Sequence, residues 1–373
     1  MAEKAFKYRI YPTKAQAELI QRTFGCARFA YNYFLDRRIK LYEQSKETLN
    51  YGACNTELTV LKKELAWLQE VDSTALQNAL RDLDNAYQNF FRRVKKGGEA
   101  PGFPKFKSKK SSRRSYRTNS KSIWITERTV RLPKLGEVRC KVSRPIQGRI
   151  LSATVSQSAS GKYYVSLLCT DVEMEPLPTT GAVIGIDLGL RYLAYTSDGE
   201  TYANPQPLEK NLKALARAQR ALSRKTIGSA NREKARLKVA RLQERIANQR
   251  RDAQHKLTTA LVLQYDVICA ETLSVKQMQR QNPYLARQIN DTGWAEILRQ
   301  LQYKCQWQHK VFVQVDQTYP STQLCSECGY QNHSLRKHYK TVWECPQCGA
   351  IRDIDWNAAQ NILTKGLRIL NAV

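Results

Sequence analysis

Four cysteines in this sequence have the spacing of metal ligands. They form two Cys-x-x-Cys pairs, Cys325 with Cys328 and Cys345 with Cys348, and sixteen residues separate the pairs. Each pair places two thiolates on one tight turn, and two such turns supply the tetrahedral four-thiolate site that structural zinc prefers. A redox dithiol is the weaker interpretation, because neither pair has a thioredoxin-like context. The spacing predicts one structural zinc ion, so a catalytic metal would bind elsewhere.

The remaining histidines and cysteines fit other roles. His333 and His338 lie between the pairs, but four thiolates already satisfy zinc, so we expect free or nucleic-acid-facing side chains. Six further cysteines are scattered along the chain with mostly apolar neighbours. In a reducing compartment they are expected to be small buried hydrophobic residues and not a disulfide framework. They are Cys26, Cys54, Cys140, Cys169, Cys269 and Cys305.

Three carboxylates occur where a buried strand ends or a helix begins. The apolar runs 182–186 and 267–270 lead into Asp187 and Glu271, and Asp355 starts a helical segment. An ionised acid at the end of a buried strand needs a partner, and a divalent cation is the simplest one. Two Mg²⁺ ions, held about 4 Å apart, would activate water and stabilise the leaving oxygen of a phosphodiester. Singly, these acids could be a turn-former, a surface residue and an N-cap. Their joint order matches an RNase H-like nuclease.

The charge balance of the chain predicts a polyanionic partner. Lys and Arg number 61 against 33 Asp and Glu, a formal net charge of +28 over 373 residues. Excess lysine could simply keep the surface soluble, but here basic residues are interleaved with aromatic ones, which suits phosphate contact and base stacking. The charged N-terminus lacks the apolar core of a secretory signal, and no stretch reaches membrane-spanning length, so a cytosolic protein without a membrane partner is expected.

Hydrophobic periodicity predicts the elements that would position these residues. Residues 4–11 alternate as a strand, and helical periodicity runs over 14–47 and 56–94. A Gly- and Pro-rich linker follows at 95–104. Short β-type runs then fill 106–175 and could close a small barrel with the first strand.

The second half of the chain alternates between strands and helices. A long basic helical stretch covers 208–256 and is interrupted near Gly228. The strands are expected at 182–186, 192–196, 267–270 and 311–315, and the other helices at 296–309 and 355–370.

The chain resembles TnpB, a family of RNA-guided DNA nucleases encoded by insertion sequences and ancestral to type V CRISPR effectors. Blocks similar to the family occur in the same order along nearly the whole chain. These blocks are KYRIYPTKAQ, CARFAYNYFLD, VDSTALQNALRDLDNAYQNFF, GFPKFKSKK, SYRT, IGIDLGL, ETLSV, GWAEILRQLQYKCQW, YPSTQLCSECG and CGAIRDIDWNAAQNIL.

The resemblance implies roles for the residues identified above. Asp187, Glu271 and Asp355 correspond to the three RuvC-type catalytic acids, and the four paired cysteines correspond to zinc ligands. The family usually has Arg between the two aspartates of the last motif, where this chain has Ile354. This departure affects an expected phosphate contact more than catalysis, because the acid itself is retained.

The resemblance also implies an α/β multidomain architecture and its partners. A guide RNA from the element's own end, a double-stranded DNA target with a short adjacent motif, and a monomer bound to one RNA near the prokaryotic nucleoid are expected. The expected segments are 1–12 (first strand of a β-barrel wedge domain), 13–104 (helical recognition lobe), 105–180 (remaining wedge barrel), 181–319 (RNase H-like, RuvC-type nuclease with the basic insertion 208–256), 320–350 (zinc ribbon that binds target nucleic acid) and 351–373 (C-terminal nuclease helix).

Two groups of residues in the first half are candidates for nucleic-acid contact. One group would read bases beside the target, because its members offer groove-reading donors on a helix or after the Lys-rich linker. The other would contact phosphates; for every member, solvated surface is the alternative. The candidate readers are Gln77, Arg81, Arg117, Thr118 and Asn119, and the candidate phosphate contacts are Lys105, Lys107 and Lys109.

Three other functions are compatible with parts of this pattern. A transposase that joins DNA strands shares the RNase H-like fold, although its acidic triad commonly has a different spacing. An RNA-guided transcriptional regulator would have lost the acids, which are all present here. A plain RNA-binding or zinc-ribbon interaction protein leaves Asp187 and Glu271 unexplained.

Overall fold

The chain divides into two compact units, residues 1–173 and 174–373. No helix among the described residues is both long and apolar enough to span a bilayer. The structure is a computed structural model that describes residues 2–97, 101–110, 114–119, 122–336 and 341–371.

The first unit contains three long helices. Helix α1 starts after Thr13, whose side chain accepts a hydrogen bond from the backbone N–H of Gln16 while the Gln16 side chain accepts from the Thr13 N–H, a reciprocal cap. The continuous helix predicted over 56–94 is wrong, because Leu65 leaves the helical conformation and Asp72 caps a new helix by accepting from the Thr74 N–H. The helices are α1 (Lys14–Ser45), α2 (Tyr51–Glu64) and α3 (Ser73–Lys96), with one 3-10 turn at Ala66–Leu68.

The same unit contains a seven-stranded antiparallel sheet in the order β2-β6-β7-β1-β5-β4-β3. Strand β1 pairs with both β7 and β5, as the sequence predicts for the first strand, and buries Phe6, Tyr8 and Ile10 by alternation. Among the described residues no ladder joins β2 to β3, which is only two residues long, so these ladders form an open sheet instead of the predicted closed barrel. The strands are β1 (Ala2–Tyr11), β2 (Arg114–Thr118), β3 (Trp124–Ile125), β4 (Thr129–Leu132), β5 (Gly136–Lys141), β6 (Arg149–Gln157) and β7 (Tyr163–Val172).

The second unit is built on a five-stranded mixed sheet with the order β10-β9-β8-β11-β12. Strands β8, β11 and β12 are parallel neighbours, and the hairpin strand β9 runs antiparallel to β8. All four strands predicted for this half are present, with bounds shifted by at most one residue. They are β8 (Val183–Asp187), β9 (Tyr192–Thr196), β10 (Thr201–Ala203), β11 (Val267–Glu271) and β12 (Val311–Val315).

Helices cover both faces of this sheet. Leu257 of α5 and Leu301 of α8 pack in one cluster with Ile268 of β11, and Ile362 of α9 packs on the other side with Cys269. The predicted interruption at Gly228 is confirmed, since its φ of +88° separates α4 from α5. The elements are α4 (Pro207–Ser223), α5 (Ala230–Gln264), α6 (Val275–Gln281), α7 (Ala286–Thr292), α8 (Trp294–Trp307), β13 (Val342–Glu344), β14 (Ile351–Asp353) and α9 (Ile354–Asn371).

A buried ion pair fixes the amino ends of the parallel strands. Lys310, whose side chain is 2% exposed, contacts the carboxylate of Asp266, which also accepts hydrogen bonds from the backbone N–H groups of Thr180 (2.8 Å) and Gly181 (2.6 Å). The hydrogen bond from Lys310 is the main cause that lowers the pKa of Asp266. These contacts hold the starts of β8, β11 and β12 together. The candidate acids Asp187 and Glu271 lie at the other end of these strands.

Candidate active site

Two of the three predicted acids lie side by side at the carboxyl edge of the sheet. Strands β8 and β11 are parallel, with Ile186 opposite Ala270, so the next residues, Asp187 and Glu271, are neighbours. Their side chains are within hydrogen-bonding reach, and the backbone N–H of Leu188 bonds to both carboxyl groups. The residues between the first and the last of each strand are buried, and the register of the sheet brings the two acids together.

The third acid is supplied by the first turn of α9. Asp353 caps this helix, since its Oδ1 accepts from the backbone N–H groups of Asp355 (3.0 Å) and Trp356 (3.1 Å). The capping role leaves the half-buried Asp355 carboxylate free to accept a hydrogen bond from the Tyr195 hydroxyl. Tyr195 lies on β9 directly opposite Asp187, so the same tyrosine pairs with Asp187 through the backbone and bonds to Asp355 through its hydroxyl.

The electrostatics of this cluster disfavour three charged carboxylates. Burial is the largest cause that raises the pKa of Asp187, and repulsion from Glu271 and then Asp355 adds to it. Burial also raises the pKa of Glu271 and of Asp355, in the latter case partly offset by the Tyr195 hydrogen bond. Buried carboxylates that repel one another suit a divalent cation, which would offset the desolvation of their charged forms. The three acids are less tightly grouped than the cysteine thiols: among the described residues their oxygens do not all lie within 4.8 Å.

A cavity of about 390 Å³ opens beside Asp355. Its wall is aromatic and charged: the Tyr192 and Tyr195 rings make an edge contact at 5.3 Å, and Trp356 Nε1 donates to the Ser197 carbonyl at 2.8 Å. A space of this size with aromatic walls can hold a nucleotide. Neither spacing nor periodicity identifies this group, although the sequence carries a signal for it in the arginine and two tyrosines of the hairpin that follows Asp187. Its lining includes Arg191, Tyr192, Tyr195, Glu200, Asp355 and Trp356.

The four predicted cysteines converge on one point. Their sulfur atoms all lie within 4.8 Å of one another, with Cys325 Sγ 3.7 Å from Cys348 Sγ and Cys328 Sγ 3.6 Å from Cys345 Sγ. A tetrahedral zinc with Zn–S bonds of about 2.3 Å requires sulfur separations of about 3.8 Å, so the thiols fit this ion. Cys325 and Cys345 are buried, while the other two are exposed.

The two turns that carry the cysteines repeat the same backbone pattern. In the first, here called the first knuckle (residues 325–330), Gly329 N–H donates to the Cys325 carbonyl at 2.9 Å; in the second knuckle (345–350), Gly349 repeats this at 2.8 Å. Both glycines have positive φ, +76° and +70°, which explains the residue type. His333 is exposed and stands outside the group of four thiols, and His338 lies outside the described residues.

The unusual Ile354 has an apolar role. It is 4% exposed and packs with Cys325, Cys345 and Trp343, under the two knuckles. A charged residue at this position would lose that contact. Ile354 therefore packs the start of α9 against the cysteine cluster.

The candidate readers of the first unit have different environments. Gln77 is half-buried, Arg81 is exposed with its guanidinium 5.2 Å from the Tyr51 ring, and Asn119 is exposed. Thr118 does not match the expectation of an accessible donor: it is fully buried, and its hydroxyl bonds to the Thr74 hydroxyl at 2.7 Å. Its environment is that of a residue that fixes β2 against α3.

The basic residues after the linker border a groove of about 580 Å³ in the first unit. Lys107 lies 3.8 Å from the Tyr31 ring and 3.9 Å from Asp82, which also faces Arg117 at 3.7 Å. Lys105 and Lys109 are exposed. The groove combines cations and aromatic rings, including Arg28 and Arg114, which are not among the candidates from sequence. Its lining includes Arg28, Phe106, Lys107, Lys109, Arg114 and Arg117.

Comparisons with known proteins agree along the whole chain. The IS605 OrfB family, described as "Probable transposase", matches residues 166–282; its helix-turn-helix domain matches 1–47, and a Cas12f1-like TNB domain matches 294–362. The chain is 40% identical over 370 residues to a Streptomyces pristinaespiralis protein named "Putative RNA-guided DNA endonuclease", covering 98% of this chain and 90% of that one.

Two further similarities extend this result. The Escherichia coli K12 protein "Putative RNA-guided DNA endonuclease InsQ" is 34% identical over 385 residues, covering 98% of this chain and 93% of that one. The cryo-EM structure of a Cas12f1–sgRNA–target DNA complex contains a chain of the same fold, with a TM-score of 0.58 at 12% identity, covering 97% of this chain and 98% of that one. From its sequence relatives, the chain belongs to the TnpB family, the OrfB proteins of IS605-type elements.

Proposed function

We propose that this protein is an RNA-guided DNA endonuclease of a transposable element and that Asp187, Glu271 and Asp355 perform the hydrolysis. The observation that carries the proposal is the convergence of these acids from two parallel strands and one helix. The names of the relatives that are 40% and 34% identical support the same activity.

The same acids would hold the catalytic metal. Hard carboxylate oxygens are the ligands that Mg²⁺ prefers, and it binds with few protein carboxylates. Bound by these acids, two Mg²⁺ ions would activate a water molecule and stabilise the leaving oxygen. The raised pKa values of the acids are consistent with a site built for cations.

Other residues of the site would orient the substrate. The Tyr195 hydroxyl holds the Asp355 carboxylate, and Arg191 lies close enough to lower the pKa of that acid. Tyr192 and Trp356 line the adjacent cavity, where a base of the cleaved strand would stack. Arg191 is the candidate for a phosphate contact that Ile354 does not make.

The partners proposed are one guide RNA and a double-stranded DNA target, bound by one protein monomer near the nucleoid. The net charge of +28 and the basic groove of the first unit support binding to polyanions. Within that groove Lys107 and Lys109 would contact phosphates, and Lys105 lies close in sequence. The candidate base readers are still Gln77, Arg81, Arg117 and Asn119. Thr118 would hold β2 against α3.

The cysteine cluster is proposed to bind one structural zinc ion. All four positions of a tetrahedral ion would be filled by thiolates, so this site has no room for a reacting water. Its function is then to fold residues 320–350, which have few apolar side chains of their own.

The decisive test of the nuclease is substitution of the acids. Asp187→Ala, Glu271→Ala and Asp355→Ala should each abolish cleavage in Mg²⁺ and leave RNA and target binding nearly unchanged. Asp353→Ala is the matched control: it removes a helix cap from the same turn and should reduce cleavage less. Wild-type cleavage by any of the three alanine variants would remove that acid from the site.

Two alternative functions are separated by direct assays. The family description "Probable transposase" favours strand transfer as the second candidate, and an assay with labelled element ends would detect joined products. An RNA-guided regulator would bind its target without cutting it. Sequencing the RNA that copurifies from cells carrying the flanking DNA identifies the guide needed for both assays.

A further inference from the structure

Two buried asparagines connect α9 to the first knuckle. The Asn357 side chain donates to the Leu324 carbonyl at 2.6 Å and accepts from the Ser326 N–H at 2.9 Å. It is fully buried. These two bonds bracket Cys325, so one amide fixes the backbone on both sides of a zinc-ligand candidate.

The second asparagine strengthens this connection one helical turn later. The Asn361 side chain donates to the same Leu324 carbonyl at 2.7 Å and to the Ser321 carbonyl at 2.8 Å, and it is 5% exposed. Residues four apart share one face of a helix, so both amides face the knuckle from α9. The amide group supplies both the donor and the acceptor that Asn357 uses.

The second knuckle reaches the same turn of α9 by another route. It leads into β14, and the backbone N–H of Ile354 donates to the Thr341 carbonyl at 2.9 Å. The Ile354 side chain packs with Cys325 and Cys345. Both knuckles therefore contact residues 354–357, the first turn of α9, and this turn contains Asp355.

We infer that Asn357 and Asn361 are positioning residues that couple zinc binding at the cysteines to divalent-cation binding at the acids. The inference rests on the proposed function, because it takes Asp355 as a metal ligand. A knuckle closed around zinc holds Leu324 and Ser326 in place, and the amides then hold the first turn of α9. By linkage, each metal should raise the affinity of the other.

The test measures Mn²⁺ binding directly, without cleavage. Mn²⁺ prefers carboxylates and zinc prefers thiolates, so each ion reports on its own site. With zinc saturating, Asn357→Ala should keep one zinc per chain and lose roughly tenfold in Mn²⁺ affinity. Thr364→Ala is the control on the same helix, because the Thr364 hydroxyl donates back to the Gln360 carbonyl of α9 itself; this variant should bind Mn²⁺ like the wild type.

A second measurement tests the coupling itself. Zinc-free wild-type protein should bind Mn²⁺ roughly tenfold more weakly than the zinc-loaded form. In Asn357→Ala, removal of zinc should lower the Mn²⁺ affinity much less, because the substitution has already removed the hydrogen bonds between α9 and the first knuckle. Amide exchange of residues 351–357 should rise in both cases, while exchange in β8 stays slow.

Three outcomes decide the inference. It is overturned if zinc-loaded Asn357→Ala and Asn361→Ala bind Mn²⁺ like the wild type. It is also overturned if removal of zinc lowers the Mn²⁺ affinity of the wild type and of Asn357→Ala by the same factor. If Asn357→Ala does not fold, Asn361→Ala alone decides by the same comparison. The proposed function fails separately, when Asp187→Ala binds Mn²⁺ as tightly as the wild type.

Discussion

Gly185 lies where α9 crosses β8, and its lack of a side chain allows a close approach between α9 and the sheet. A Cβ atom added there would lie 2.2 Å from the Ala359 carbonyl oxygen and 2.7 Å from the backbone nitrogen of Leu363. Both are backbone atoms of α9, so no side-chain rotation relieves the overlap. In Gly185→Ala the helix must retreat by about 1 Å to restore van der Waals contact.

The size of the effect follows from this displacement. Overpacking a rigid core costs about 1–3 kcal/mol, and for a domain of this size each kcal/mol lowers the melting temperature by about 2–4 °C. Because Asp355 is carried by α9, it moves away from Asp187 by a similar distance. A misplacement of about 1 Å can cost on the order of 100-fold in rate. We therefore expect Gly185→Ala to fold, to melt several degrees lower and to cleave about two orders of magnitude more slowly.

Thermal unfolding and single-turnover cleavage in Mg²⁺ measure both quantities. Gly25→Ala is the control, since a Cβ at Gly25 in α1 meets no atom within 4 Å and alanine favours the helix. That variant should melt at or above the wild-type temperature. A Gly185→Ala protein with wild-type stability and cleavage would refute the close packing of α9 on β8.

Four further predictions concern charge, pH and zinc. Burial lowers the pKa of Lys304 to about 8, so the stability that this residue contributes is present above about pH 10.5 and lost as the pH falls through 8; Lys304→Met should flatten this dependence of the melting temperature on pH, while it also removes the hydrogen bonds from Lys304 Nζ to the Thr258 and Thr259 hydroxyls. Asp266→Asn should lower the melting temperature by several degrees at neutral pH, because the buried Lys310 loses its partner, and this loss should disappear in acid, where the wild-type carboxylate is protonated. In metal-free protein the raised pKa of Asp187 gives stability that is present below about pH 4 and lost as the pH rises; Asp187→Asn should flatten this dependence in melting curves, and Mg²⁺ should restore wild-type stability at neutral pH. Cys325→Ser should bring the zinc content of purified protein, measured by metal analysis, close to zero, and full zinc in this variant would contradict the ligand assignment.

The sequence predicted most of the second unit because its signals are local. The apolar runs that end at Asp187 and Glu271 are short and continuous, as buried parallel strands are, and the structure places them as neighbours. The cysteine spacing needed no tertiary information either. Residues whose role depends on register were missed: Tyr195 matters because β9 folds back opposite Asp187, which the alternation of β9 does not reveal.

In the first unit, several features depend on tertiary contacts, which local sequence patterns do not show. The leucine periodicity continues across residues 65–72, so one helix was predicted where the Asp72 cap divides two. Thr118 was selected as an exposed donor beside basic residues, but the burial of a β2 side chain is set by its packing on α3. Strand β1 pairs with partners more than a hundred residues away, so the openness of its sheet could not be read from local pattern.

The route by which the acids meet has a consequence for synthesis of the protein. Glu271 lies 84 positions after Asp187, and Asp355 lies 84 positions after Glu271. Helix α9, which covers Cys269 and the β12 side of the sheet, is made after all five strands of that sheet. Contacts of such long sequence separation form late and slowly. A nascent chain that lacks α9 would therefore expose an apolar sheet face to chaperones, and it would carry no complete acidic site. The order of synthesis thus delays assembly of the three acids until α9 has been made.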